Sequence, residues 1–189
     1  MDEPSATLRF EHDAIQVLLS VLDGMAHRLR VNEAVPREDL DDAMTVVVEF
    51  ADRCHHAKEE QVVFPALRKA SPEIGADIAR RLTSDHQAFR KLVRAMRDLC
   101  PKARTRKSAR VQLAKYFSTY IRVLREHIRI EEEQLLPEVD RSLAPAQRAE
   151  FAERFDRVEA EEIGWGMHEA YHAMIHRLAE SYAPAPTPA

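Results

Sequence analysis

The sequence predicts an all-α protein: an antiparallel four-helix bundle with an additional C-terminal helix. Three observations carry this expectation. Glycine is scarce, with 4 in 189 residues, while 45% of residues are apolar and 32% charged, a balance suited to long amphipathic helices. Pro36, Ser71 with Pro72, Pro101 and Pro145 punctuate the chain at helix-length intervals. Between these breaks apolar residues recur in alternating steps of three and four, the period of a helix with one buried face. The expected helices cover residues 6–30, 37–69, 73–99, 107–136 and 145–181. Their connections are short enough to join antiparallel neighbours. One domain accounts for the length: 1–144 forms the bundle, 145–181 an accessory helix packed on it, and 182–189, ending in APAPTPA, a disordered tail.

Each segment follows from its own pattern. The first carries Leu8, His12, Ile15, Leu19, Leu22, Ala26 and Leu29 on one stripe, so a single histidine interrupts an apolar face. The second reads Met44, Val48, Ala51, His55, Glu59, Val62, and a histidine and a glutamate one turn apart break its face. The third repeats the first, with His86 among Ile78, Leu82, Phe89, Val93, Met96 and Cys100. The fourth repeats the second, with His127 and Glu131 following Leu113, Phe117, Tyr120 and Leu124. Pro65 and Pro137 end or kink their helices one to two turns past the carboxylates. The fifth places Phe151, Phe155 and Val158 at core spacing, then a kink at Gly164, Trp165 and Gly166, then His168, His172 and His176 on one face. That last segment reads as a docked helix with solvated histidines, or as one that brings His168 or His172 to the mouth of the site.

Charge and composition narrow the function. The net charge of −4 offers no field to draw in nucleic acid, and the basic cluster Lys102, Arg104, Arg106, Lys107 and Arg110 lacks interleaved aromatics and suits a solvated loop. No apolar run approaches the roughly 20 residues that cross a bilayer, and the N-terminus has no signal-peptide pattern, so a cytoplasmic protein without membrane or nucleic-acid partners is expected, monomeric or a weak homodimer. Cys54 and Cys100 read as buried small hydrophobes rather than a disulfide.

Residues four apart share a helix face, so His55 with Glu59 and His127 with Glu131 can each present an imidazole and a carboxylate to one point. Burying a carboxylate in a helical core costs several kcal/mol unless a cation or hydrogen-bond partner offsets it. Two glutamates among four core-facing histidines point to a metal. The arrangement is duplicated: HHAKEEQVVFP (55–65) and HIRIEEEQLLP (127–137) share the histidine, glutamates at +4 and +5 and a proline at +10, and each follows an upstream histidine, His12 or His86. HHAKEE also permits a His56/Glu60 pair. Alignment on the prolines selects His55/Glu59 and leaves His56 on a polar stripe with Glu49, Arg53 and Glu60, facing solvent or standing behind the site.

The pattern H, HxxxE, H, HxxxE over four helices resembles the bacterial hemerythrin-like (HHE cation-binding) domain, across about residues 6–140. The resemblance implies an up-down-up-down bundle around two non-haem irons. Carried over by position, His12, His55, Glu59, His86, His127 and Glu131 would be the protein ligands, with the glutamates bridging. Respiratory hemerythrin differs: its third helix carries HxxxH where position 90 here is Arg, and its fourth carries an Asp five residues after its His. Fewer histidines imply more positions for a small diatomic or peroxide ligand. The resemblance therefore implies a di-iron protein that meets O₂, peroxide or NO in sensing, scavenging or iron handling. An enzyme with peroxidase, catalase-like or NO-directed activity and a metal-free interaction module are the alternatives. Manganese and zinc accept the same donors as iron.

Overall fold

The computed structural model of the protein describes residues 5–142 and 144–183. Six helices, α1 (Ala6–Arg30), α2 (37–70), α3 (Ile74–Ala103), α4 (107–142), α5 (Pro145–Glu162) and α6 (Met167–Tyr182), follow one another, and no strand occurs among the described residues. The first four form the bundle: α4 lies beside both α1 and α3, and α2 beside α1 and α3. Helix α1 stops where Asn32 takes a left-handed conformation (φ 64°), and the Glu33 N–H reaches back to the Arg28 carbonyl at 2.8 Å. Asparagine tolerates that conformation better than other non-glycine residues, and the back-bond satisfies a carbonyl otherwise left open at a helix end.

Three of the prolines behave differently from expectation. Pro101 lies inside α3, which runs on to Ala103; a proline in the last turn forfeits a single intrahelical bond and no later turn depends on it. Pro65 and Pro137 neither end their helices nor interrupt the rods. Each is preceded by a widened π-type turn, Glu59–Val63 and Glu131–Leu135, in which the N–H of Phe64 bonds to the Glu59 carbonyl and that of Leu136 to the Glu131 carbonyl, five residues back. A wider turn makes room for the pyrrolidine ring, which would otherwise strike the carbonyl four residues earlier. A longer π-type stretch, Val47–His56, precedes the first of these in α2.

The core is divided. One apolar cluster holds Ile15, Leu18, Leu19, Leu22, Phe50, Ala51, Phe89, Tyr120 and Leu124, and a second holds Leu8, Val62, Val63, Phe64, Leu82, Ile130 and Leu135. Along every bundle helix a histidine separates the two groups. His12 falls between Leu8 and Ile15, His55 between Ala51 and Val62, His86 between Leu82 and Phe89, and His127 between Leu124 and Ile130. A polar layer therefore crosses the bundle at one level.

The expected kink in the C-terminal segment is a full interruption. Gly164 and Gly166 both have positive φ (90° and 76°), a backbone state that a side chain disfavours, so the chain turns there and restarts as α6. Helix α5 adds Phe151, Phe155 and Val158 to the second cluster, and α6 adds Tyr171, Ile175, Leu178 and Tyr182 to the first. At its end Tyr182 donates to Asp39 at 2.5 Å, and Arg177 holds Asp39 and Asp42 at 3.0 and 2.6 Å. Tyr182 begins the expected tail but is buried; residues 184–189 of that tail lie outside the described residues. Among the described residues no helix is long and apolar enough to cross a membrane. Both cysteines are free and buried, as expected of small core residues.

Gly24 makes the docking of α6 on α1 possible. A Cβ at this position would stand 2.0 Å from the Tyr182 backbone carbonyl oxygen, and backbone cannot yield by rotating. Gly24→Ala is expected to lower stability by about 1–3 kcal/mol, the usual cost of overpacking. It should also raise amide exchange across α6 selectively. An unchanged urea midpoint together with unchanged exchange would contradict this packing.

Candidate metal centre

The layer between the two clusters is built from the duplicated motif. The six residues expected as donors come together there, and all are buried: His12 is 3% exposed and the other five 1% or less. Their ligating atoms fall into two adjoining groups, His12 with His55, Glu59 and Glu131, and His56 with Glu59, His86 and His127, each within 4.8 Å. Glu59 belongs to both. His86 Nε2 and His127 Nε2 are 3.1 Å apart, and His86 Nε2 lies 3.3 Å from Glu59 Oε2. Glu131 reaches across, with Oε1 2.7 Å from His127 Nε2 and Oε2 3.2 Å from His12 Nε2.

A second set of side chains fixes each ring. His12 Nδ1 donates to Glu132 at 2.6 Å, His55 Nδ1 to Glu11 at 2.8 Å, His86 Nδ1 to Glu60 at 2.7 Å and His127 Nδ1 to Asp85 at 3.3 Å. With the Nδ1 proton held by a carboxylate, the Nε2 lone pair is the one turned inward, the arrangement that orients histidine toward a metal. These partners obey the same twofold as the rings. The acidic residue just before His12 holds His55, and the one just before His86 holds His127. The glutamate just after Glu131 holds His12, and the one just after Glu59 holds His86. The +5 glutamates are visible in the sequence as part of the repeat, whereas their task, and that of Glu11 and Asp85, appears only in the folded bundle. The signal was the acidic residue preceding each upstream histidine.

Several of the centre's inner atoms stand at ion-pair distance from one another yet make no hydrogen bond. His12 Nε2, His55 Nε2 and all four carboxylate oxygens of Glu59 and Glu131 are buried without a hydrogen bond. Native interiors rarely leave such groups unpaired. Without a cation, charge is balanced by protons. Burial disfavours the imidazolium form of His12, but Glu131 and Glu132 outweigh it and push its pKa up to about 9. His127 goes to about 10, because Glu131 and Asp85 again override burial. Burial and the neighbouring Glu131 raise Glu59, whereas His127 and His12 hold Glu131 well below the usual carboxylate range against its own burial. Four imidazoles, two mutually adjacent carboxylates and a ring of orienting carboxylates fit a pair of divalent or trivalent ions.

His56 does not lie on the solvent-facing stripe expected for it. Its ring is 1% exposed, stacked on His86 with centroids 3.9 Å apart. The reason is the π-type stretch ending at His56: wider turns carry more residues per revolution, so the i, i+4 stripe through Glu49 and Arg53 no longer predicts its face.

Beside the centre a second cluster gathers Glu11, Cys54, Glu159 and His168. Lys58 occupies its middle: its ammonium donates to Glu11 and, at 2.9 Å, to Glu159, and its side chain is 1% exposed. The cluster thus already contains its cation. His168 Nδ1 lies 3.1 Å from Glu159 and belongs to neither inner group, and His172 stands farther out, stacked on Phe10. The C-terminal segment approaches the centre from behind His55, through Glu159 and Lys58 to Glu11 and through His168, 3.9 Å from Glu11. Burial lifts the Cys54 thiol to about 12, which keeps it protonated and unreactive.

Histidine and glutamate donors converging inside an antiparallel helical bundle define a cation-binding bundle protein. The family model of the hemerythrin HHE cation binding domain matches residues 3–139 and again 81–185, and the chain belongs to this family. The overlap of the two matches is what a chain with duplicated hairpins should give. Relatives include uncharacterized proteins of Mycobacterium bovis and of two strains of Mycobacterium tuberculosis. Each is 25% identical over 171 residues, 90% of this chain and 65% of the relative. The chain thus spans 65% of the length of the curated relatives it matches. No solved structure matches it significantly.

Proposed function

We propose that this chain is a non-haem di-iron protein that meets O₂, peroxide or NO, with His12, His55, His86 and His127 as nitrogen donors and Glu59 and Glu131 as bridging carboxylates. One observation carries the reading: six inward-facing atoms of His12, His55, Glu59 and Glu131 are buried without a hydrogen bond while each imidazole is oriented from behind by a carboxylate. The position of Glu59 in both donor groups supports bridging. Mixed imidazole and carboxylate donors suit iron, with manganese or zinc as substitutes. When bound, the metal pair would supply the redox chemistry toward the small ligand. The chain's own residues hold the donors in place, and the two apolar clusters exclude bulk water from the layer between them. Unpaired donors on this scale count against a metal-free interaction module.

Anaerobic Fe(II) titration tests the reading, with about two ions per chain expected, as for a bundle-core dinuclear site. Imidazole must lose its proton to bind a metal. With His12 and His127 titrating at about 9 and 10 in the metal-free protein, loading at pH 7 is expected to release protons. Apparent affinity should rise with pH until those values are passed. Loading of less than one ion, or without proton release, would overturn the assignment. Exposure of the loaded protein to O₂, H₂O₂ and NO then separates a reversible binder from an enzyme, which consumes many equivalents of oxidant.

A further inference from the structure

We infer that His168 and His172 on α6 form a second metal site, separate from the buried layer, which takes up a single copper(II) or zinc(II) ion from solvent. The inference goes beyond the dinuclear reading and does not depend on it.

Sequence and geometry agree at this pair. Residues 168–172 read HEAYH, the HExxH form in which two histidines one turn apart on a helix face one ion. In α6 their Nε2 atoms stand 3.0 Å apart and the ring centroids 4.7 Å apart. With metal–nitrogen bonds of about 2.0–2.1 Å, a 3.0 Å separation subtends about 95° at a shared ion, the angle of neighbouring ligands in a tetragonal shell. Two imidazole nitrogens this close need either a shared proton or a cation between them. The surroundings hold both rings in place. His168 Nδ1 lies 3.1 Å from Glu159 Oε2, so Nε2 is the nitrogen left for an ion. Phe10 stacks on His172 at 5.2 Å, and Phe50 meets the rings of His168 and His172 edge-on at 5.2 and 5.1 Å.

Unlike the buried layer, the pair opens outward. The His168 side chain is 14% exposed, His172 is half-buried and Phe10 beside it is exposed. Among the described residues no third His, Cys, Asp or Glu completes a group with both histidines, so water fills the remaining positions. With two protein ligands in place of the three of a catalytic zinc site, the pair captures an ion and does not reproduce a hydrolytic centre. The approach to the centre is through His168 Nδ1, 3.9 Å from Glu11, and not through Nε2, so the two sites share no donor atom. His176 cannot join His168 on one ion, because eight residues of helix place it about 12 Å farther along the axis. Imidazole with water ranks copper(II) above zinc(II).

Trp165 stands three residues before His168 and is the one indole of the chain, so it reports on this site. Bound copper(II) quenches a nearby indole. The full chain, its buried layer first filled with iron and oxidised, is titrated with copper(II); saturable quenching at about one ion per chain is expected, with an EPR spectrum split by two nitrogens. His168→Gln and His172→Gln should each raise the copper(II) concentration at half-quenching roughly tenfold or more, since each removes one of two nitrogen donors. His176→Gln should shift it by less than about twofold, because its ring lies outside the pair. Half-quenching left unchanged by both His168→Gln and His172→Gln, or the EPR spectrum of the hydrated ion, overturns the inference and leaves the two rings joined by a proton alone. A His176→Gln shift as large as that of His172→Gln overturns it as well. The same titration of iron-free chain keeps the two readings apart: failure to hold two irons counts against the dinuclear centre, while Trp165 quenching and its loss in His172→Gln still decide the outer site.

Discussion

Glu131→Ala and Glu59→Ala are each expected to abolish loading of the iron pair, yet only the first to destabilise the metal-free protein. Removal of side chains that merely orient metal ligands already costs 10–100-fold in affinity, so loss of a bridging carboxylate should exceed 100-fold. In the metal-free protein the two glutamates are not equivalent. Glu131 is the main counter-charge of His12 and His127, and its removal leaves these buried imidazolium groups with Glu132 and Asp85 alone, at a cost of about 3 kcal/mol. Glu59 is raised by burial and by Glu131, so its removal relieves repulsion and should leave stability unchanged or improved. Urea unfolding of both metal-free variants at pH 7, beside iron counts on the loaded forms, checks the contrast. Equal destabilisation by the two substitutions would contradict this charge arrangement. The pH dependence follows the same pairing. His12 and His127 are raised above their unfolded values, so their stabilisation is complete below pH 6.5 and disappears as pH rises through about 9 to 10, the range in which metal affinity should be gaining.

The second large effect is expected at Lys58. Its ammonium is buried between Glu11 and Glu159, and burial of Glu11 would raise that carboxyl were it not for His55 and Lys58, which lower it. Lys58→Met leaves Glu11 buried with His55 as its remaining hydrogen-bond partner among the described residues, and breaking a buried pair from one side costs about 3–5 kcal/mol. Adding Glu11→Gln should restore much of the loss, because no charge then remains to be compensated. A Lys58→Met protein that unfolds at the wild-type urea concentration would show the pair to be dispensable. The substitution also cuts the link to Glu159, so α5 and α6 should exchange amide protons faster even where the bundle remains folded.

Much of this was legible in the residues. Helical stripes depend on local spacing, and the repeat of HxxxE with its upstream histidine marks the six inner side chains in the sequence itself. What escaped was whatever depends on departures from a regular helix or on residues distant in sequence. Spacing puts His56 on a polar stripe only if the helix keeps 3.6 residues per turn, which fails across Val47–His56. Pro65 and Pro137 suggest an end or a kink in their helices because nothing local announces a widened turn that accommodates them. Lys58 lies in a charged run, KEE, that resembles an ordinary solvated face. Its burial depends on Glu11, 47 residues earlier, and on Glu159, 101 residues later. Glu11 and Asp85 stand next to the histidines of their own helices but serve those of the neighbouring ones, a relation that exists only once the helices are paired.

The turn between α5 and α6 governs how the molecule can be watched. Its Trp165 is the one indole in the sequence and is 82% exposed in the folded state. The ring is already solvated in the folded state, so melting of the bundle barely alters its surroundings and its emission is expected to change little. Tyr120 and Tyr182, by contrast, are buried, and their near-ultraviolet dichroism carries the signal of tertiary order.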